Sequence, residues 1–370
     1  MNKVLFLIPT LGHGGAERVL VNLVNHMDQS KFDITVQTMF DVGIYQDKLA
    51  PGIKYKGGLK WYFRGNILVY KLFSPRQLYK MYIKEDYDVI VSYLEGPSAR
   101  VVSGCDNEKT KLISWIHIQL DTENYATQSF RNLSEAINCY NRFDQIVCVS
   151  QTVKESFNKV FDVNSPVEVL YNTVEADVIR EKSLEQVDDI NFSKDRINII
   201  SVAKLMKSKG YDRLVRISRK LVDDGFPVHV YIVGKGEEKA ALTKMIEENE
   251  LQDNWTFIGF RDNPYKYVKA ADLYVCSSHK EGFSTAVTES LIVGTPVVST
   301  NCSGAKELLG YNNEYGIVTE NDEEALYLGI KEMISSKETL DKYKTLAKIR
   351  GDKFSVEETV SAVEKMLEEV

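Results

Sequence analysis

The sequence predicts an α/β protein of two doubly wound domains, each with a parallel sheet covered by helices on both faces. Apolar, β-branched runs recur along the chain, and most do not alternate with polar residues, which is typical of strands buried on both faces. Helical stripes of apolar residues lie between several of these runs. A polar, acidic stretch at residues 175–195 divides the runs into two series, and 370 residues suffice for two separate cores.

The first domain is predicted over residues 1–172. Its candidate strands are short apolar runs at residues 4–8, 34–39, 89–92, 112–116, 146–149 and 167–170. Apolar residues at helical spacing follow the first strand from Val19 to Met27 and stop before a polar turn. A strand, a helix and a second strand in this order begin a parallel sheet.

The second domain is predicted over residues 173–353, and residues 354–370 are expected to form a helix that packs back on the first domain. The candidate strands of this domain lie at residues 197–202, 228–233, 256–258, 273–276 and 297–300. Ligands of open parallel sheets bind at the carboxyl ends of the strands. Two facing domains would therefore hold a ligand in the cleft between them.

Composition and charge exclude several classes of protein. A net charge of -7 argues against nucleic acid as a partner, because counterion release needs a basic surface. Five scattered cysteines without a C-x-x-C pair indicate a reducing compartment and no zinc ribbon. With no apolar run of membrane-spanning length and no signal-like start, a cytoplasmic location is expected. The Asp86-Tyr87-Asp88 motif precedes a strand instead of ending one, so no metal site is predicted.

A glycine-rich loop, residues 10–15, follows the first predicted strand and leads directly into a helix. Glycines let backbone N–H groups approach a phosphate at a helix N-terminus, so Gly14 and Gly15 are candidate phosphate ligands. A nicotinamide fingerprint would require a third glycine where this chain has Glu17. A dinucleotide site assisted by Asp41, or a tight turn without a ligand, are the alternatives.

Lysines cluster in the loop after the first strand of the second domain. Lys204, Lys207 and Lys209 precede Gly210 and a helical pattern. Ammonium groups bind a pyrophosphate as point charges, so Lys204 and Lys209 are candidate ligands for one. The alternative is a solvated surface turn.

The most specific segment spans residues 277–298. Ser284 is placed to cap a helix that ends at Gly294 in a left-handed conformation, and Pro296 prevents its continuation. Glu281 then precedes the helix and Glu289 lies in its second turn, so the two carboxylates can address different hydroxyl groups of one ligand. The backbone amides that would face an anion or a sugar belong to Gly282, Phe283, Ser284 and Thr285. The alternative is two solvated acids beside an ordinary helix start.

In order and spacing, these segments resemble the retaining glycosyltransferases of family 4, also called glycosyl transferases group 1. The spacing of Glu281 and Glu289 resembles the E-x7-E motif of that family. The other matching segments are Gly14-Gly15-Ala16-Glu17-Arg18, Trp115-Ile116-His117, Tyr171-Asn172-Thr173-Val174, Ala203-Lys204-Leu205 with Lys209-Gly210, and Val233-Gly234-Lys235-Gly236. The match covers most of the chain and is weakest over residues 45–85 and 120–140. It implies the GT-B fold, in which two Rossmann-like domains face each other across a cleft.

The resemblance also implies roles for individual residues. Glu281 would bond a donor-sugar hydroxyl near the anomeric centre, and Glu289 the ribose hydroxyls. Lys209 and Lys204 would bind the diphosphate together with the amide of Gly15. The remaining implied contacts are His117, facing the sugar and its developing charge, and backbone groups around Ile258, receiving the base. The family usually has arginine at the position of Lys204, so the bidentate fork is lost there.

Residues 51–84 contain eight basic residues, eight aromatic residues and no acid. This mixture is what a peripheral membrane surface requires, at roughly 1 kcal/mol per basic residue near an anionic leaflet. The alternative is a basic helical hairpin packed on its own domain.

Together, these observations lead us to expect a retaining, metal-independent glycosyltransferase of hexosyl or N-acetylhexosaminyl groups. The donor would be a nucleotide sugar, UDP-sugar above all, with no further cofactor. The acceptor would be a glycan or a lipid-linked intermediate of cell-surface polysaccharide or glycoconjugate synthesis, reached at the inner face of the membrane. The alternatives are a non-catalytic subunit that binds glycan or a partner protein, and a UDP-sugar epimerase.

Overall fold

A computed structural model describes residues 1–12, 14–60, 70–120 and 122–370 of the chain. The chain forms two compact units, which are described separately. Unit 1 comprises Met1–Val174 and Val356–Val370, and unit 2 comprises Glu175–Ser355. The first boundary thus follows Val174, whereas the sequence suggested residue 172.

Unit 1 is built on a parallel sheet. Its described strands are β1 Asn2–Ile8, β2 Phe32–Thr38, β3 Lys54–Lys56, β4 Val89–Ser92, β5 Lys111–Ile116, β6 Gln145–Cys148 and β7 Val167–Val169. They lie in the order β3-β2-β1-β4-β5-β6-β7. β1 pairs in parallel with β2 on one side and with β4 on the other. The loops after β1 and β4 therefore separate at the switch point, where open α/β sheets bind ligands.

Helices cover this sheet. Those described are α1 Gly15–His26, α2 Pro75–Tyr82, α3 Pro97–Val102, α4 Glu123–Ala126, α5 Leu133–Tyr140, α6 Gln151–Val160 and, from the end of the chain, Val356–Glu369. The last of these packs against α1. Its Glu364 accepts a hydrogen bond from the backbone N–H of Asp28 at 2.6 Å, and Glu368 pairs with Lys31 at 3.0 Å. The final helix thus belongs to unit 1.

Unit 2 repeats the same architecture. Its described strands are β8 Ile197–Val202, β9 Val228–Val233, β10 Trp255–Gly259, β11 Leu273–Cys276, β12 Val297–Thr300 and β13 Ile317–Thr319, in the order β10-β9-β8-β11-β12-β13. All described pairings are parallel, and the order reverses between β8 and β11. The loops after β8 and β11 therefore flank the switch point of this sheet.

The helices of unit 2 complete its core. They are α7 Ala176–Ser183, α8 Tyr211–Asp223, α9 Lys239–Glu248, α10 Tyr265–Ala270, α11 Thr285–Val293, α12 Ala305–Leu309, α13 Glu323–Met333 and α14 Lys337–Gly351. The final helix of the chain, Val356–Glu369, is then α15. Ile199, Val230 and Val275 from the strands pack in one buried cluster with Leu214 and Ile217 from α8. Burial of such apolar side chains stabilises the unit by about 1.5–3 kcal/mol each.

The predicted fold class is confirmed. Each predicted strand is present with ends shifted by at most about two residues, which is the ordinary uncertainty of such boundaries. The edge strands Lys54–Lys56 and Ile317–Thr319 were not predicted. Within the described ranges, each helix is too short or too polar to traverse a lipid bilayer.

Candidate active site

The lysine loop of unit 2 makes a tight turn between β8 and α8. It ends in one 3-10 turn, Lys207–Lys209, and Gly210 follows with φ +63°. A Cβ on Gly210 would lie 2.1 Å from the carbonyl oxygen of Ser277, so only glycine fits this close approach. The turn thereby brings Lys209 against the loop that follows β11.

Lys209 and Glu281 form an ion pair at the centre of this region. Lys209 Nζ lies 2.7 Å from Glu281 Oε1, and the hydroxyl of Ser278 donates to the same oxygen at 2.6 Å. The two charged side chains are only 21% and 14% exposed. Burial acts to lower the pKa of Lys209, but the carboxylate of Glu281 outweighs burial and raises the pKa above its ordinary value. For Lys209 the solvated-turn interpretation is therefore wrong, whereas Lys204 is exposed.

The helix after this loop begins as the sequence predicted. Ser284 caps α11 by accepting a hydrogen bond from the backbone N–H of Val287, and Gly294 ends the helix in the left-handed conformation. The N-terminal amides of a helix attract anions, and α11 begins at Thr285, four residues after Glu281. Phe283 and Ser284 are buried at this terminus.

Glu289 is less accessible than the sequence suggested. It lies in the second turn of α11 and is only 4% exposed. Its assignment to ribose hydroxyls stays a prediction.

The loops after β9 and β10 lie at the same carboxyl end of the parallel strands as the loops after β8 and β11. Gly234 packs so closely on the loop after β8 that a Cβ would lie 1.9 Å from the carbonyl oxygen of Ala203. The backbone N–H of Gly234 donates to the carbonyl of Gly259 at 2.9 Å. The strand pairing of β10 shifts at Ile258, between Phe257 and Gly259. Backbone groups predicted to receive a base therefore lie at an irregularity of the sheet edge.

The glycine loop of unit 1 precedes α1 without a side-chain cap. Gly14 is extended and Gly15 is the first helical residue. The carboxylate of Glu17 lies directly over Gly14, since a Cβ there would fall 1.7 Å from Glu17 Oε2. The helix dipole stabilises the carboxylate of Glu17 in this first turn. Because the carboxylate covers Gly14, it must move before an anion can reach the amides of Gly14 and Gly15.

His117 follows β5 and is held in an aromatic cluster. Its ring lies 4.7 Å from the Tyr93 ring and 6.2 Å from the Trp115 ring, centroid to centroid. The backbone N–H of His117 donates to Glu95 Oε2 at 2.8 Å. Nε2 is enclosed and has no hydrogen-bond partner among the residues that the structure describes. Burial lowers the pKa of His117 to about 3 and raises that of Glu95, so the imidazole is neutral at physiological pH.

The structure thus groups the predicted residues by unit. In unit 2 it joins Lys209 to Glu281 beside the N-terminus of α11, and in unit 1 it joins His117 to Glu95. Sequence analysis missed Arg213, whose guanidinium binds the carbonyl oxygens of the Glu281 loop. The available signal was an arginine within an otherwise apolar stripe of α8.

Ion pairs neutralise part of the positive charge of the basic segment at residues 51–84. Four of its cations pair with acids from elsewhere in unit 1: Lys54 with Asp33, Lys56 with Glu85, and both Arg76 and Lys80 with Asp106. Tyr79 and Tyr82 are buried. Trp61, Tyr62, Phe63 and Arg64 of this segment lie outside the described residues. Membrane contact by this segment stays a prediction.

Models of known protein families match both halves of the chain. The model for Glycosyltransferase Family 4 matches residues 13–178, and the model for Glycosyl transferases group 1 matches residues 183–350. The chain is 29% identical over 365 residues to an N-acetylgalactosamine-N,N'-diacetylbacillosaminyl-diphospho-undecaprenol 4-alpha-N-acetylgalactosaminyltransferase of Campylobacter jejuni, covering 96% of each protein.

Solved structures agree on the fold. Anabaena Alr3699/HepE in complex with UDP-glucose superposes with a TM-score of 0.79 at 20% identity over 100% of both chains. Sucrose-phosphate synthase of Thermosynechococcus elongatus superposes with a TM-score of 0.80 at 15% identity, over 99% of this chain and 98% of that one. The chain therefore belongs to the glycosyltransferases of the GT-B fold, with a family 4 N-terminal half and a group 1 C-terminal half.

Proposed function

We propose that this glycosyltransferase is retaining and metal-independent and that it transfers a hexosyl or N-acetylhexosaminyl group from UDP-sugar to a glycan or lipid-linked acceptor. One observation carries the proposal. Lys209 and Glu281 form a half-buried ion pair at the sheet's switch point, beside the N-terminus of α11. A cation, a carboxylate and the N-terminus of a helix together suit a sugar joined to a diphosphate.

Binding of the donor would rearrange this pair. A diphosphate oxygen competes with Glu281 for the ammonium group of Lys209, which has three N–H donors. Glu281 is then able to accept a hydrogen bond from a hydroxyl of the donor sugar. Because Ser278 also donates to Glu281, the carboxylate keeps its orientation during this exchange.

In the transition state, the bond between the anomeric carbon and the diphosphate breaks and the sugar gains oxocarbenium character. Lys209, with Lys204 at the exposed rim, stabilises the charge that develops on the leaving diphosphate. These lysines supply the positive charge for which other transferases use a divalent cation. The acceptor oxygen bonds to the anomeric carbon on the face that the diphosphate leaves, and an oxygen of the leaving phosphate takes the acceptor proton, so the anomeric configuration is kept.

We assign the acceptor to unit 1. The Campylobacter jejuni relative is named for an acceptor linked to diphospho-undecaprenol, and other relatives are named for amylovoran and O-antigen synthesis. Lys60 is exposed beside the exposed Leu59, and Leu72 is 77% exposed, so apolar and basic groups of the segment at residues 51–84 are available to an anionic leaflet. We therefore place the reaction at the cytoplasmic face of the membrane.

The proposal is tested by donor screening followed by product analysis. A panel of UDP-hexoses and UDP-N-acetylhexosamines is scored by thermal stabilisation, and the best donor is then incubated with a diphosphate-lipid-linked saccharide in excess EDTA. We expect transfer in EDTA and a first-formed product, read by NMR, with the anomeric configuration of the donor. An inverted anomer, or transfer abolished by EDTA, would refute the mechanism.

Two further results would favour the alternatives. Epimerisation of the UDP-sugar without an acceptor would indicate an epimerase. Binding of glycan without binding of any nucleotide sugar would indicate a non-catalytic subunit.

A further inference from the structure

We propose that Arg213 is a positioning residue that fixes Lys209 relative to Glu281. The inference rests on the proposed function, because it assigns Lys209 to the donor diphosphate. Within the described ranges, the hydrogen bonds of Arg213 go to backbone carbonyls and not to the charged groups of this pair. It binds the backbone of the loop that carries Glu281, and the turn that carries Lys209 packs against that loop.

Arg213 is a buried cation whose partners are carbonyl oxygens. It is only 3% exposed and lies beside the buried Leu214 and Val215 of α8. Burying a guanidinium is costly unless its N–H groups are bonded. Within the part of the chain that the structure describes, no carboxylate lies within 4.0 Å of it. The guanidinium is therefore stabilised by hydrogen bonds to carbonyl oxygens and not by an ion pair.

The bonded carbonyls belong to the loop that carries Glu281. Arg213 Nε donates to the carbonyl oxygen of Ser277 at 2.8 Å, and Nη2 donates to that of Ser278 at 2.7 Å. The hydroxyl of Ser278 in turn donates to Glu281. One side chain thus fixes the start of this loop at two consecutive peptide groups. A planar fork of donors is the group best suited to this geometry.

The same residue is linked to Lys209 through the start of α8. Arg213 lies four residues after Lys209, and Gly210 between them packs against the carbonyl oxygen of Ser277 that Arg213 binds. The hydroxyl of Ser277 donates to the carbonyl of Lys209 at 2.8 Å. Arg213 therefore holds the peptide group against which the Lys209 turn is packed.

Loss of this fork would let the two loops separate. Ligand contacts such as those assigned to Lys209 must be held within about 0.5 Å to remain productive. Replacing Arg213 by methionine keeps the length of the side chain but removes its donors. The carbonyl of Ser277 then loses the bond from the guanidinium, whereas that of Ser278 keeps the hydrogen bond from Thr300 Oγ1 at 2.6 Å. We expect the Lys209 ammonium to lose its fixed position, and UDP to bind more weakly.

The test is calorimetric titration of the full chain with UDP. We expect Arg213→Met to weaken UDP binding by about 10-fold, and Arg213→Lys, which keeps the charge but not the fork, by about 3-fold. Arg216→Met is the matched control, because Arg216 lies on the same helix and pairs with Asp212 and Glu323 at the surface. The control should bind UDP as the wild type does.

A double-mutant cycle separates positioning from general destabilisation. If Arg213 acts through Lys209, Arg213→Lys should weaken UDP binding by less than about 1.5-fold when Lys209 is already alanine. A purely structural role would lower the unfolding midpoint but leave the affinity of the folded protein unchanged. That result, or equal losses in both backgrounds, would overturn the inference while leaving the proposed function intact. Failure of the wild type to bind UDP would overturn both.

Discussion

Protonation of His117 should destabilise unit 1 in mild acid, and the size of this effect follows from its burial. The pKa of His117 is about 3 in the native protein and near 6.5 in an unfolded chain. The unfolded state therefore binds the proton first as the pH falls. The stability that the neutral ring contributes is fully present above pH 6.5 and is lost progressively towards pH 3.

The magnitude can be worked from these two values. Between pH 7 and pH 5 the unfolded state gains a proton that the native state does not, which costs about 2 kcal/mol of unfolding free energy. His117→Phe keeps a ring against Tyr93 but cannot titrate. We expect its unfolding free energy to fall by about 2 kcal/mol less than that of the wild type over this interval. Glu95, whose raised pKa has the opposite effect, is present in both proteins.

The assay is urea unfolding followed by the fluorescence of Trp115, whose ring lies beside that of His117. Trp61 and Trp255, the other two tryptophans, are replaced by phenylalanine so that the signal comes from unit 1. This separation matters because burial also lowers the pKa of His229 in unit 2, to about 4. His26→Gln, at an exposed histidine of α1, is the control. Equal losses of stability in wild type and His117→Phe would refute the reasoning.

Three further predictions concern the donor site and the basic segment. Lys209→Ala and Glu281→Ala should each lower turnover by at least about 100-fold in initial-rate assays, since each removes a preorganised charge, and near-normal turnover would contradict their assignment. Gly210→Ala should destabilise unit 2 by about 2 kcal/mol or more in urea unfolding, because it forces a Cβ against a carbonyl at positive φ; a loss below about 0.5 kcal/mol would show that the turn relaxes. The double variant Lys60→Gln/Lys71→Gln should sediment less with acidic liposomes at low salt while still binding UDP, and unchanged sedimentation would remove this segment from membrane docking.

The sequence predicted what depends on local pattern. Central strands buried on both faces read as continuous apolar runs, and the cap and left-handed end of α11 are encoded by Ser284 and Gly294. The edge strand β3 was missed because its three residues, two of them lysines, carry no apolar pattern. Short edge strands often have this character, which protects them from pairing with other chains.

What the sequence did not predict depends on contacts between distant residues. Arg213 meets its carbonyl partners 64 and 65 positions further along the chain, so its place in the apolar stripe of α8 indicates burial but not which groups it binds. The basic segment looked unbalanced for the same reason. The acid that neutralises Lys54 is Asp33, and the acid that neutralises Arg76 is Asp106, both outside the segment.

The position of α15 in unit 1 bears on how the chain folds during synthesis. Its buried face, formed by Val360, Val363, Met366 and Leu367, completes unit 1 only after residues 175–355 have been made. At about 5–20 residues per second, that interval lasts roughly 10–40 s on the ribosome. Unit 2 can finish folding in this time, whereas the side of α1 that α15 covers stays open to solvent and to chaperones. The protein therefore matures in reverse order, with the N-terminal unit completed last.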